Sequence, residues 1–347
     1  MAKLIGSKKI SEERWRWEFK SNPYGFCIGV TEAFGRIIGH MALVFVPMKV
    51  GERILKGSQA VDLMVDPRFR RQGVFLATGK FLADKSQEKG DCEVWYGFPT
   101  NEAYFGHLKY GWFDVCEVPI LVKAMNVENA FDAISIGTIG NVFLKSYLFR
   151  KIGSHILQAI LAVNDYLSRL LFKTFVGTLE DIKLVRVEYV DNRINTFWNT
   201  VSKRHNIIIA RNHNYLNWRY FENPHQQYRV LIAEKKNKIL GYIVLTFKDM
   251  HKLRKGYIVD ILSIDESVAQ VLIQMAIDYF IEKKVDLGIC WMLRNSIYYN
   301  ILKANGFVCF PSMKAKLIAR NSSKNPNPIL LRNHRNWYIT IGDSDLI

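Results

Sequence analysis

Along the first 125 residues the spacing of apolar positions changes several times. Residues 13–23 carry Trp15, Trp17 and Phe19 and end in Asn22-Pro23, the pattern of a short amphipathic helix stopped by proline. Two β-rich runs, Phe26–Val30 and Ile37–Phe45, flank a polar turn around Glu32 to Arg36 and predict a hairpin. A strand over Ala60–Val65 follows, then an arginine-rich loop, a helix to about Gly90, a strand at Cys92–Gly97, a short helix from Asn101 to Gly111, and a strand at Phe113–Val122. From about Ala130 to Phe175 the apolar residues recur at helical spacing, punctuated by Lys145, Arg150, Lys151, Arg169 and Lys173. A basic amphipathic helix can lie on an anionic membrane, but packing between domains with the basic residues in solvent is the commoner use of such a pattern.

After Phe197 the opening pattern returns. Trp17 through Asn22-Pro23 is echoed by Trp218 through Asn223-Pro224, and Gly39 by Gly241, at offsets of 201 and 202. Asn101 and Gly111-Trp112 correspond to Asn295 and Gly306-Phe307, at offsets of 194 and 195. Near-constant offsets imply a duplicated unit. The second unit has a hairpin at Tyr228–Phe247 turning at Lys235–Lys238, a strand at Gly256–Ile264, a helix at about Ser267–Lys284 and a strand at Leu287–Met292. The tail Trp337–Asp345 alternates apolar and polar residues and predicts one more strand. The expected organisation is a first domain over 1–123, a helical insert over 124–200 and a second domain over 201–347.

Composition narrows this picture. The 347 residues leave room for two cores, and 49% hydrophobic with 23% charged residues is globular rather than disordered. A net charge of +16 favours an anionic partner, which nucleic acid, an anionic membrane or a phosphate-bearing metabolite would all satisfy. Cys27, Cys92, Cys116, Cys290 and Cys309 are odd in number and contain no C-x-x-C pair, so neither a disulfide framework nor a metal site is expected and a reducing, cytoplasmic setting fits. No charge-free run approaches the roughly 18 residues of a membrane span, and the N-terminus lacks a signal-peptide core, so a soluble protein is expected, free to rest on the inner face of a membrane.

The candidate chemistry lies in Val61-Asp62-Leu63-Met64-Val65-Asp66-Pro67-Arg68-Phe69-Arg70-Arg71-Gln72-Gly73-Val74-Phe75, a strand, a loop with three arginines and a glycine, and a helix start. Backbone N–H groups turned to one point at the positive end of a helix bind phosphates. This stretch resembles the acyl-CoA pyrophosphate loop of the GCN5-related N-acetyltransferase (GNAT) superfamily, R/Q-x-x-G-x-G/A, with Arg70 and Gly73 in the first two positions and Phe75 where Gly or Ala is usual. The resemblance implies an α/β (α+β) chain of two GNAT-like domains in tandem, each a mixed, mostly antiparallel sheet flanked by helices. It also implies acetyl-CoA or another acyl-CoA as co-substrate, with Leu63, Met64 and Val65 pairing with the pantetheine arm and the N–H groups of Arg71, Gln72, Gly73, Val74 and Phe75 cradling the pyrophosphate beside Arg70. Asn101 would bond the arm or cap its own helix. The second copy has Ile264-Asp265-Glu266 at this place, carboxylates that would repel a pyrophosphate.

Acyl transfer needs a base for the amine and an acid for the thiolate. Asp62, a carboxylate in an apolar strand, is the favoured base and Glu32 its competitor. His107, four residues before Gly111 where the family often has a tyrosine, is the candidate acid as an imidazolium, with Tyr104 one turn earlier as its substitute. The W-x-x-x-x-N-P opening, the degenerate second copy and the Gly-Asp-Ser-Asp tail resemble acetyltransferases of bacterial surface-polysaccharide gene clusters, which implies an amine-bearing small molecule as acceptor, such as a nucleotide- or lipid-linked amino sugar, and no DNA. Homodimerisation is compatible with this reading. The alternatives are an aminoacyl-tRNA-dependent peptidyltransferase-like enzyme and a non-catalytic binding or membrane-surface protein on a decayed GNAT fold.

Overall fold

The computed structural model of the chain describes residues 11–88, 92–126, 129, 182–250, 253–322 and 328–346. The helices predicted over about residues 130–175, with their basic residues, lie outside them, whereas the end of the predicted insert, 182–200, is described and includes a strand, Lys183–Val187. Helix α1 (Glu12–Trp15), capped by the Ser11 hydroxyl, runs into a π-turn (Arg16–Lys20). Then come β1 (Phe26–Ala33), β2 (Arg36–Val50), β3 (Arg53–Val65), α2 (Val74–Glu88), β4 (Val94–Gly97), α3 (Asn101–Leu108) and β5 (Phe113–Ala124). After β6 (Lys183–Val187), α4 (Arg193–Val201) and β7 (Ile207–Ile209), the second half follows a parallel order. It comprises α5 (His213–Leu216) with a π-turn (Asn217–Phe221), β8 (Arg229–Lys235), β9 (Lys238–Met250), β10 (Leu253–Ser263), α6 (Glu266–Glu282), β11 (Leu287–Trp291), α7 (Ile297–Ala304), β12 (Val308–Asn321) and α8 (Pro328–Arg332).

The strands form one twelve-stranded mixed sheet in the order β1-β2-β3-β4-β12-β5-β11-β10-β9-β8-β6, with β7 on β2. Its middle is an exchange. β12 runs antiparallel between β4 and β5 of the first half, and β5 pairs antiparallel with β11 of the second. The two halves therefore meet through shared strands rather than through facing surfaces. A second junction joins the two π-turns: Trp17 and Trp218 stack with centroids 5.4 Å apart, and each indole N–H donates to the other's main-chain carbonyl, at 2.7 and 3.0 Å. Buried indoles with satisfied N–H groups couple apolar area to directional bonds.

The predicted tail strand does not form. Trp337 makes only a single bridge to Ile207, and Ile341–Asp343 is a 3-10 turn. Side-chain chemistry overrides the alternation: Thr340 and Asp343 form a capping box, and the Asp343 carboxylate lies 2.7 Å from the fully buried Arg211 guanidinium. Gly342 is required by close approach, because a Cβ there would sit 2.3 Å from the Tyr220 hydroxyl and 3.1 Å from the Val259 carbonyl. The Arg219 guanidinium donates to the carbonyls of Gly342 (3.0 Å) and Ser344. Every residue of Gly342-Asp343-Ser344 is thus fixed, and the next, Asp345, is carried toward the first half.

Candidate active site

β3 and β4 pair in parallel only over Gly57–Gln59 and Val94–Tyr96. Beyond that the strands part, and a cavity of about 1020 Å³ opens between the end of β3, the loop before α2, and α3. The Asp66 N–H donates to Ile38 of β2 at 2.8 Å. Alternation along an antiparallel ladder then turns Met64 toward β2 and points the main-chain groups of Leu63 and Val65 the other way, into the cavity they line.

The loop is shaped for an anion. Arg71 (φ 63°) and Gly73 (φ 83°) are left-handed, which gathers neighbouring N–H groups on one side. Helical bonding begins with Ala77 N–H to Gly73 O at 2.9 Å, leaving the amides of Val74, Phe75 and Leu76 without intrahelical acceptors. Arg70, Arg71 and Lys109 supply positive charge to the lining, whose one carboxylate is Glu102. Arg68 turns away to pair with Asp66 at 2.8 Å. The Phe75 ring leaves the loop and packs edge-on against His107 (5.3 Å) and Tyr110 (6.3 Å), over Gly106, where a Cβ would approach it to 2.5 Å. Gly106 makes room for the bulk that departs from the usual loop pattern. Neither Gln72 nor Asn101 lines the cavity: the exposed Gln72 side chain donates to the Arg68 carbonyl at 3.0 Å, and Asn101 faces solvent while Thr100 caps α3 and lines the cavity.

An adjoining chamber of about 370 Å³ shares Leu63, Met64, Thr100 and Ala103 with the cleft and is also lined by Arg14, Asp62, His107 and Asp345. Asp62 is delivered by a bulge. It has φ 51°, and the register with β2 slips between His40–Met64 and Ala42–Val61. A bulge resets strand alternation, which is why Asp62 reaches the chamber from a strand whose pattern would turn it toward α2. Its Oδ2 is buried without a hydrogen bond, and burial pushes the carboxyl up from the usual range against the pull of Arg14 and His40. The His40 ring donates from Nδ1 to the Asp62 carbonyl at 2.9 Å. Behind it Glu18, paired with Arg14 at 3.3 Å, is pushed up to about 7 by burial.

Three of the expected acid and base assignments need correction. His107 lines the chamber, but it is buried among Phe75, Tyr110 and Trp112, and desolvation lowers it to about 4. It is neutral near pH 7, with Nδ1 2.7 Å from the Tyr110 hydroxyl, and a neutral imidazole is a poor proton donor. Tyr104 lines neither cavity; its hydroxyl donates to Asp114 of β5, which raises its pKa. Glu32 is exposed near the hairpin tip and also lines neither. Arg14 and Glu18, His40 and Asp345 come from three separated segments, so no local pattern in the sequence links them. Asp345 had one visible signal, its place in the Gly-Asp-Ser-Asp tail.

The second half provides a control within the same chain. Gly39 pairs with Val65 and Gly241 with Ser263, so counting back along the strands sets Asp260 opposite the position of Asp62. Asp260 is fully buried but satisfied: the Tyr220 and Tyr242 hydroxyls donate to it at 3.0 and 2.9 Å, and Arg211 lies 2.8 Å away. The main-chain edge corresponding to Leu63 and Val65 is closed as well. The Tyr338 hydroxyl donates to Ile261 O, and Ser263 N–H donates to the Tyr298 hydroxyl at 2.8 Å. The α6 amide of Val268 is taken by Asp265 at 2.8 Å. The first half is open where the second is filled by its own side chains and tail.

No protein-family model matches the chain, and no curated protein matches it in sequence. Solved structures do match in fold. A GCN5-related N-acetyltransferase from Anabaena variabilis aligns with TM-score 0.57 at 12% identity, over 91% of this chain and 67% of its own. An Enterococcus faecalis protein described as a probable N-acyltransferase aligns with TM-score 0.58 at 11% identity, over 90% and 66%. Saccharomyces cerevisiae N-myristoyltransferase with bound myristoyl-CoA gives TM-score 0.56 at 11% identity, over 91% and 75%. The chain thus spans about two thirds of the length of the bacterial proteins. It has the α/β fold of the GCN5-related N-acetyltransferases, a large mixed sheet flanked by helices.

Proposed function

We propose that this chain is an acyl-CoA-dependent N-acyltransferase, with acetyl as the acyl group and an amine attacking the thioester directly in a ternary complex. The observation that carries it is the contrast between the two equivalent clefts. One is sealed by buried tyrosines and the tail, and the other presents a strand edge met only by the exposed Arg70 side chain (Nε to Val65 O, 3.3 Å), a left-handed glycine loop and a helix N-terminus to a cavity of about 1020 Å³. A cleft of this shape has a use for a pantetheine arm and a pyrophosphate, which favours acyl-CoA over an aminoacyl-tRNA donor.

In this reading the pantetheine lies along Leu63–Val65 and the pyrophosphate on the amides of Val74–Leu76 beside Arg70, Arg71 and Lys109. The thioester then falls at the junction with the chamber. Asp62 takes a proton from the acceptor ammonium, and the upward shift that burial gives it makes it a stronger base than an exposed aspartate. An amino sugar carrying a phosphate group suits the net charge of +16. Among the described residues no helix is long and apolar enough to cross a membrane, so a lipid-linked acceptor would be met at a surface.

The test is calorimetric titration with acetyl-CoA. The wild type should bind near one equivalent per chain. Arg70→Glu combined with Gly73→Glu sets two carboxylates in the phosphate site and should weaken binding by about 100-fold or more, given the ~1.5–3 kcal/mol of each charge-assisted hydrogen bond. No binding to the wild type would sink the acetyl reading.

A further inference from the structure

The corrected site has a base but no proton donor for the departing thiolate, since His107 is neutral and Tyr104 is turned away. The structure offers one other proton-bearing group in the chamber. We propose that Asp345, brought in by the anchored C-terminal tail, is the general acid of the reaction and works as a pair with Asp62. The inference rests on the acyltransferase reading above.

Three observations carry it. Asp345 and Asp62 line the same chamber of about 370 Å³, next to Leu63 and Met64, where a thioester on the strand edge would end. The Gln59 side chain donates to Asp345 Oδ1 at 3.2 Å, which orients the carboxyl in the chamber. The tail is fixed just before it by Arg211–Asp343 (2.7 Å), by Arg219 on Gly342 and Ser344, and by the tight fit of Gly342, which together hold Asp345 at the chamber. The surrounding charges agree. Burial, the largest influence, and the Asp62 carboxylate raise Asp345, whereas a main-chain hydrogen bond, Arg14 and Arg219 lower it, and the net direction is upward. Glu18 from the π-turn adds a third carboxyl behind the pair. His40 and Arg14 pull Asp62 down, and His107, lowered by burial, adds no positive charge near neutral pH. Two carboxyls that share one chamber and repel each other's charge do not ionise independently, which lets one hold a proton while the other serves as base.

The step balances. The ammonium gives one proton to Asp62, and the amine nitrogen forms a bond to the carbonyl carbon. The C–S bond breaks as Asp345 protonates the sulfur, and the second nitrogen proton returns to Asp345. The proton on Asp62 leaves to water, so the net products are amide, CoA thiol and one proton.

The test compares wild type with Asp345→Asn, Asp345→Glu and Asp62→Asn. Acetyl-CoA affinity by calorimetry should stay within about twofold in Asp345→Asn; a wild type that fails to bind would instead overturn the acyltransferase reading itself. Thiol release from acetyl-CoA, with glucosamine and aliphatic primary amines as acceptors, should fall about 100-fold or more in Asp345→Asn, lose the alkaline limb of its pH profile, and recover in part in Asp345→Glu. Carboxyl ¹³C NMR of aspartate-labelled protein decides the matter even if none of these amines is turned over. The Asp345 signal, identified by its absence from Asp345→Asn, should be that of a protonated acid at pH values where exposed aspartates are ionised, and should titrate about one pH unit lower in Asp62→Asn. An ordinary titration unmoved by Asp62→Asn, or wild-type turnover in Asp345→Asn, would overturn the proposal.

Discussion

Replacing Arg211 by methionine tests the claim that the second cleft is closed by a buried ion network. Arg211, Asp260 and Asp343 have fully buried side chains, with guanidinium-to-carboxylate distances of 2.8 and 2.7 Å that are electrostatic contacts more than aligned hydrogen bonds. Burial opposes the charge on Arg211, but the two carboxylates outweigh it and hold its pKa well above the ordinary value. Methionine preserves much of the volume and strands two carboxylates in the core, which costs about 3–5 kcal/mol when a buried pair is broken from one side. Relief comes by protonation. Asp343 is raised by burial even now, and losing Arg211, which lowers it, raises it further. A carboxyl with a raised folded pKa contributes stability below its unfolded pKa and loses it as the pH climbs through the folded value. The deficit of Arg211→Met should therefore be smaller near pH 5 than near pH 8, where it should approach ~3–5 kcal/mol, with a slope of at most roughly 1.4 kcal/mol per pH unit between. Urea denaturation followed by tryptophan fluorescence at both pH values gives the comparison. Adding Asp260→Asn and Asp343→Asn should restore most of the loss at pH 8. A deficit below about 1 kcal/mol, or one that does not change with pH, would refute the reasoning.

Gly106→Ala should cost about 1–3 kcal/mol by overpacking, because the new Cβ meets the Phe75 ring at 2.5 Å; adding Phe75→Leu should recover most of it in thermal melts. Glu18→Gln removes a carboxyl pushed up to about 7 by burial. Since the wild-type group loses its contribution as pH rises from about 4.5 to about 7, the variant should gain stability relative to wild type at pH 8 and not at pH 4, on the order of 3 kcal/mol in denaturant titrations; an equal difference at both would exclude the buried acid. Thr100→Ala should cost about 1 kcal/mol through the lost α3 cap, while Asn101→Ala should leave stability nearly unchanged.

What could be read from the chain follows the range of the interactions. Local patterns located β1, β2, α2, α3, β8, β9 and α6 to within a few residues at most of their ends, because alternation, helical spacing and turn residues are short-range signals. The phosphate loop was legible for the same reason: Arg70 to Phe75 are contiguous. β12 was not anticipated, nor was its position between β4 and β5, since pairing partners some 200 residues apart leave no periodic trace. The tail misled because its alternation is that of a strand, while Thr340 and Asp343 use their side chains to close a turn and meet Arg211. Asp62 was located, but its direction depends on a bulge against Met41, which its own strand does not encode. Asp345 and Arg14 could be assembled with it only by the fold.

The exchange of β5 and β12 also sets an order of events during synthesis. Until residues 308–321 have been made, β4 has no neighbour on its far side, and β5 waits for β11 as well as for β12. The nascent first half carries an open sheet edge of the kind that recruits other chains, and the chamber beside its cleft lacks Ile318 and Asp345 until residues 318–345 have been made. The chamber is therefore completed late, and the first half alone cannot supply it. Mixing the two halves as separate polypeptides should restore thiol release from acetyl-CoA where neither half supports it by itself, which makes the chain a candidate for split-protein complementation.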